Sequence, residues 1–172
     1  MKDFAGSDAL VSSVELAQIA GVELETINNW IRRGIIRRSR IGGRQLRNRL
    51  FSVDEIYKTA LKNELVKLGI QPSSANEAVD QLWKIEKITE LVRGKDIYVA
   101  LSKTGDGWFA FLFRAKSSTT SFSVHPQFSE IKNFNPFNQP CVLIPLSNIF
   151  SRIERNLSNV LGDKSKDQKT LK

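Results

Sequence analysis

The chain has 172 residues, 41% of them hydrophobic, and its 26 Lys and Arg against 18 Asp and Glu give a net charge of +8. That length holds one domain or two small ones, and that apolar content builds a packed core. A single cysteine, Cys141, excludes an intrachain disulfide framework and a multi-thiolate zinc site, and no stretch has the length of a membrane span or the apolar core of a signal peptide, so a soluble cytoplasmic protein is expected.

Residues 1–12 read as a short flexible arm. Leu16, Ala17, Ile19 and Ala20 then share one face at helical spacing. Gly21 breaks that helix, because glycine enters a left-handed turn without steric cost. Ile27, Trp30 and Ile31 form the apolar face of a second short helix, which Gly34 ends. Small Ala17, turn Gly21, then Ile27 and Trp30 follow helix-turn-helix spacing: the small residue admits the second helix closely, and the later two fill the angle between them.

The charge follows directly. From Thr26 to Val53 there is no Asp or Glu, and eight arginines occur: Arg32, Arg33, Arg37, Arg38, Arg40, Arg44, Arg47 and Arg49. Without them the chain balances at 18 basic against 18 acidic residues, so its basicity is local. Arginine suits bidentate recognition of phosphate and guanine. A charge run is ordinarily a solvated face, but this one follows a helix patterned as a groove reader.

Over about Ser13 to Val79 the sequence resembles the winged-helix DNA-binding domain of the MerR family of bacterial regulators. The resemblance is carried by Glu15-Leu16-Ala17, Ile19-Ala20-Gly21-Val22, Thr26-Ile27, Gly34-Ile35-Ile36 and Arg49-Leu50-Phe51-Ser52 leading into Val53-Asp54-Glu55-Ile56. The chain has Asn28-Asn29-Trp30 where the family usually has Arg-Tyr-Tyr, and Trp30 looks more like the related excisionase-type winged helices. Glu23 replaces the family's N-cap serine and is a weaker cap. Arg47 replaces a wing glycine, with Gly42-Gly43 turning the wing earlier. The resemblance implies bracing helices behind the winged helix and a C-terminal helix that dimerises.

After this stretch, Ser52 and Glu55 have capping-box spacing, and Ile56, Ala60, Leu61, Leu65 and Leu68 continue a helix that Gly69 ends. A further helix starts near Ser73 and runs to about Leu91, with Trp83 in its buried face. Past Arg93-Gly94 the pattern turns aromatic and β-branched. Strands are expected at 97–101, 108–113, 119–124 and 141–144, with a hairpin loop over 103–107 and an irregular connection over 125–139 holding one helical turn near Phe128 to Ile131. Ser147 leads an amphipathic helix, and residues 162–172 read as a disordered tail. The expected class is α+β: a winged helix-turn-helix with bracing helices over 13–93, then a small antiparallel sheet and a C-terminal amphipathic helix over 94–161.

No catalytic signature appears. His125 lacks a local orienting carboxylate or nucleophile, and Cys141 in an apolar strand defaults to an inert thiol. Gly105-Asp106-Gly107 is a turn with no helix behind it, and no ligand spacing suggests a metal or cofactor. A non-enzymatic protein is expected.

The candidate DNA contacts are Thr26, Asn28, Asn29, Arg32 and Arg33 on the second helix, opposite Ile27 and Trp30. Asparagine pairs with adenine and arginine with guanine in the major groove. Arg38, Arg40, Arg44, Arg47 and Arg49 fall on the wing, toward phosphate or the minor groove. Glu25 either accepts from cytosine N4 or points away. Ile149, Phe150, Ile153 and Leu157 share one helix face that Val160 and Leu161 carry toward the chain end, which suggests a homodimer contact. Phenylalanines 109, 111, 113, 122, 128, 134 and 137 form either plain core or a pocket for an effector. The expected function is a homodimeric, nucleoid-associated regulator of transcription on double-stranded DNA. Two alternatives stand beside it: an excisionase-like or small-terminase-like architectural factor of a mobile element, and an adaptor binding RNA or an acidic protein.

Overall fold

A computed structural model describes residues 10–37, 50–85, 88–92, 96–104, 107–116, 119–124 and 141–167. The fold is α+β and divides into two compact units, Met1–Ser73 with Ser151–Lys172, and Ser74–Phe150. These limits differ from those drawn on composition. The segment Ser74 to Arg93 goes with the sheet, and the end of the last helix goes with the N-terminal unit.

The first unit opens on β1 (Leu10–Ser12), which takes up the last residues of the expected arm. It pairs antiparallel with β2 (Leu50–Ser52), Val11 opposite Phe51. Between them come α1 (Ser13–Ala20) and α2 (Leu24–Arg32), and α3 (Val53–Lys67) follows β2. Ser12 starts α1 through a capping box: its hydroxyl accepts from the Glu15 amide at 3.3 Å, and the Glu15 carboxylate accepts from the Ser12 amide at 2.7 Å. Ser52 repeats the first half of that device on α3, accepting from the Glu55 amide at 3.3 Å.

α1 packs on both α2 and α3. The core beneath them holds Leu16, Ile19, Ile27, Phe51, Ile56, Tyr57, Leu61 and Leu65, each essentially inaccessible to water. α3 is the central element, buried on more than one side, and its burial extends to Thr59 and Lys62. Gly69, at φ 86°, closes it by returning its amide to the Val66 carbonyl.

The second unit contains α4 (Pro72–Leu82), with its first two residues in the preceding segment, and the short α5 (Ile88–Val92). The single helix expected through Leu91 is thus broken. Lys84 and Ile85 turn their amides back to Gln81 and Leu82, three residues behind each, which tightens and ends the helix. α4 also begins at proline rather than after a Ser73 cap, as proline's fixed φ allows in a first turn.

β3 (Ile97–Thr104), β4 (Gly107–Lys116), β5 (Thr119–Val124) and β6 (Cys141–Pro145) form one antiparallel sheet in the order β5-β4-β3-β6. Val99 faces Leu112 on one side and Ile144 on the other, and all three are buried. Both Ala100 and Leu101 are buried, so β3 is covered on its two faces. A register shift interrupts the β4–β5 ladder between Ala115 and Lys116. Trp83 is only half-buried, and its ring lies tilted on Phe150 with centroids 6.3 Å apart. The turn expected near Phe128 lies outside the described residues.

α6 (Leu146–Asp167) is longer than expected. It passes through Gly162, where a helix interior loses only about 1 kcal/mol relative to alanine, and continues into residues expected as tail. No helix among the described residues is long and apolar enough to cross a membrane.

Candidate nucleic-acid interface

The interface is built on α2. Ile27, Trp30 and Ile31 are buried and fall within an arc of about 100° on a helix of 3.6 residues per turn. Diametrically opposite lie Glu25, Asn29 and Arg32. Glu25, Arg32 and Arg33 are exposed, while Thr26, Asn28 and Asn29 are half-buried. All five residues expected to read DNA from this helix are at least partly open to water, with Thr26 and Asn28 on the two flanks of the buried face. Glu25 does not turn inward, since it lies at the centre of the exposed arc.

Both ends of α2 are set by backbone rather than by side chains. Gly21, in the left-handed conformation at φ 68°, ends α1 and turns the chain. The Glu23 side chain makes no capping bond, as expected of a weaker cap. At the far end Gly34 takes φ 71°, and the Ile35 amide returns to the Trp30 carbonyl at 2.9 Å. The Arg32 guanidinium donates to the Asn29 carboxamide oxygen, one turn back. The protein thus holds two candidate base readers as one hydrogen-bonded pair.

Two further contacts lock the turns of this motif, and neither was marked by the sequence pattern. Asn63 of α3 donates to the Gly21 carbonyl at 3.1 Å, in the turn between α1 and α2. Lys62, only 2% exposed, donates to the Ile35 carbonyl at 2.9 Å and pairs with Glu55 at 3.2 Å. Glu55 and Lys62 are seven residues apart on α3 and share a face; that spacing of opposite charges was the available signal.

Residues 11–82 match the family model described as MerR HTH family regulatory protein. These residues are a MerR-like helix-turn-helix. The match begins in β1 and ends at the last residue of α4, so it takes in the whole of α1, α2 and α3. This is the DNA-binding module of a transcriptional regulator, and double-stranded DNA is its partner. No curated protein matches the chain.

The wing arginines Arg38, Arg40, Arg44, Arg47 and Arg49 lie outside the described residues, as do His125 and much of the phenylalanine cluster. Arg37, the last described residue before that stretch, is exposed.

The apolar stripe of α6 is where the structure departs furthest from expectation. Ile149, Phe150, Ile153 and Leu157 are all buried within a single chain. The stripe is spent inside its own subunit rather than held open for a partner helix. Within the first unit, Asn156 donates to the Ile19 carbonyl of α1 at 3.1 Å, and Arg152 meets Glu64 of α3 at 2.8 Å. The described outer face of α6, at Ser151, Arg155, Ser158 and Asn159, is polar.

Proposed function

We propose that this protein is a sequence-specific regulator of transcription that lays α2 in the major groove of double-stranded DNA. The observation that carries the reading is the division of α2 into a buried face of Ile27, Trp30 and Ile31 and a polar face of Glu25, Asn28, Asn29 and Arg32. In helix-turn-helix proteins the N-terminal residues of the second helix meet base edges. Asn28 and Asn29, at the middle of α2, suit bases through the adenine pairing open to a carboxamide. Arg32 and Arg33, about one turn further along, suit guanine or the flanking phosphates. Thr26 flanks the reading face and suits phosphate or a thymine methyl.

Arg38, Arg40, Arg44, Arg47 and Arg49 supply the sequence-independent part of affinity by neutralising phosphates. One short helix covers only a few base pairs, so two copies on paired half-sites give useful affinity through an effectively intramolecular second contact. Ile149, Phe150, Ile153 and Leu157, already covered within one chain, are not open for that contact between copies.

Titration of the full chain against an operator fragment, a random duplex and single-stranded RNA, each at two salt concentrations, tests the reading. A regulator keeps tight operator binding at the higher salt while random-duplex binding collapses. Clustered sites with bending would mark an architectural factor, and equal binding of RNA would mark an adaptor. Either result replaces this reading.

A further inference from the structure

Two neighbouring residues of α3 reach the backbone on either side of α2. Asn63, half-buried, donates from its carboxamide to the Gly21 carbonyl at 3.1 Å, in the turn before α2. Lys62, only 2% exposed, donates from Nζ to the Ile35 carbonyl at 2.9 Å, in the turn after it. Ile35 is itself tied to the helix, since its amide returns to the Trp30 carbonyl. A buried lysine is rare, and an apolar side chain would fill that position at less desolvation cost. What the ammonium supplies is a directed donor at the end of a long side chain. The Glu55 carboxylate, 3.2 Å away and on α3 itself, offsets its charge.

The apolar face of α2 decides which side of the helix meets the core, but packed helices tolerate about 15–20° of scatter in crossing angle. α2 is nine residues long, so a pivot of that size about one end carries the other end roughly 4 Å. Hydrogen bonds to base edges do not survive such a displacement. A hold at both ends removes the pivot. We propose that Lys62 and Asn63 are positioning residues of base recognition, which fix from α3 the angle at which the exposed face of α2 is presented to a duplex. This rests on the DNA-binding reading above and deepens it. Both residues act through α2 rather than on DNA, because Lys62 is all but closed to water and the Asn63 carboxamide is turned to Gly21. Supporting contacts of this kind hold a recognition surface within the narrow tolerance that its hydrogen bonds need.

The test compares Asn63→Ala and Lys62→Met, each in the full chain, with the wild type. Binding is measured on the duplex that the wild-type chain enriches from a random pool and on the random pool itself, at a temperature where circular dichroism shows each variant folded. Amide hydrogen exchange is read at Val22, Ile35 and Ile36, against the interior of α3. Each variant should lose about tenfold in its preference for the enriched duplex, the scale of one misaligned base contact. Asn63→Ala alters no charge, so its affinity for the random pool and the salt dependence of that affinity should stay at wild-type values. Exchange should quicken about tenfold at Val22 in Asn63→Ala, and at Ile35 and Ile36 in Lys62→Met. Lys62→Arg restores a cationic donor and should recover most of the preference. A wild-type preference in either folded variant would overturn the two-point hold, and so would equal losses on both kinds of duplex, which mark general damage. Should Lys62→Met not fold, Asn63→Ala decides alone, by the same two outcomes. A wild-type chain that enriches no duplex sinks the DNA reading instead; unchanged exchange in Asn63→Ala then sinks the hold as well.

Discussion

Arg152 of α6 lies 2.8 Å from Glu64 of α3, across 88 residues of sequence, and Lys67 meets the same carboxylate oxygen at 3.2 Å. Burial raises the Glu64 pKa, but hydrogen bonds and positive charge from Arg152 and Lys67 outweigh it and leave it lowered. A carboxyl depressed by folding contributes stability above its unfolded pKa and loses it as pH falls through the folded value. Glu64→Gln should therefore lower the melting temperature near neutral pH by roughly a few degrees, the scale of a partly exposed pair. The difference between variant and wild type should close as pH drops below the ordinary glutamate range. A gap of constant size across that range would show that the pair contributes nothing through charge.

The end of α6 belongs to the same unit as the helix-turn-helix, and that changes what truncation does. Leu157 and Ile153 are fully buried, and Asn156 reaches the Ile19 carbonyl. Leu157→Ala should cost about 2–5 kcal/mol, the range for emptying a buried leucine site. Removal of residues 157–172 should unfold or severely destabilise the helix-turn-helix instead of releasing a folded monomer. Chemical denaturation of the two variants checks this. A truncated chain with wild-type stability would mean that the helix end is dispensable.

Thr59 is buried on α3, and its hydroxyl has no hydrogen-bond partner among the described residues. An unsatisfied buried polar group costs roughly 1–3 kcal/mol, and valine has nearly the same shape. Thr59→Val should raise stability by about 1 kcal/mol, read as a shift of the denaturation midpoint at constant slope. A drop in stability would show that the hydroxyl is satisfied in solution.

The turns of the helix-turn-helix were legible because glycine writes them: Gly21, Gly34 and Gly69 all take the left-handed conformations that end helices. The four strands were legible from their aromatic and β-branched runs, since β3 and its neighbours are buried enough to read as apolar segments. Three features were not legible. The Ser12 cap lies where composition suggested an arm, and it shows only once β1 pairs with β2. Lys62 reads as ordinary helix surface, because a charged residue is rarely buried without a partner and its partners are a backbone carbonyl and a carboxylate seven residues away. The α6 stripe was legible as apolar, but periodicity alone does not say whether an apolar face meets its own subunit or another.

Glu25 bears on base choice. It stands exposed in the first turn of α2, at the centre of the reading face, with no ion pair among the described residues. Cytosine N4 is the base-edge donor that a carboxylate accepts from in the major groove. Glu25→Ala should erase a preference of about tenfold for one C·G pair per half-site and strengthen binding to random duplex, since a negative charge leaves the neighbourhood of phosphate. An unchanged base preference would leave Glu25 only its favourable interaction with the helix dipole.

Whether the exposed face of α2 reads DNA sequence is decided by selecting duplexes from a random pool with the wild-type chain and with Asn28→Ala/Asn29→Ala. The wild type should enrich a defined motif. The double variant should lose about 1–3 kcal/mol of discrimination for each bidentate pairing removed, at particular positions of that motif, while its affinity for random duplex stays near the wild-type value. The same motif, enriched equally by both proteins, would show that Asn28 and Asn29 do not read the sequence.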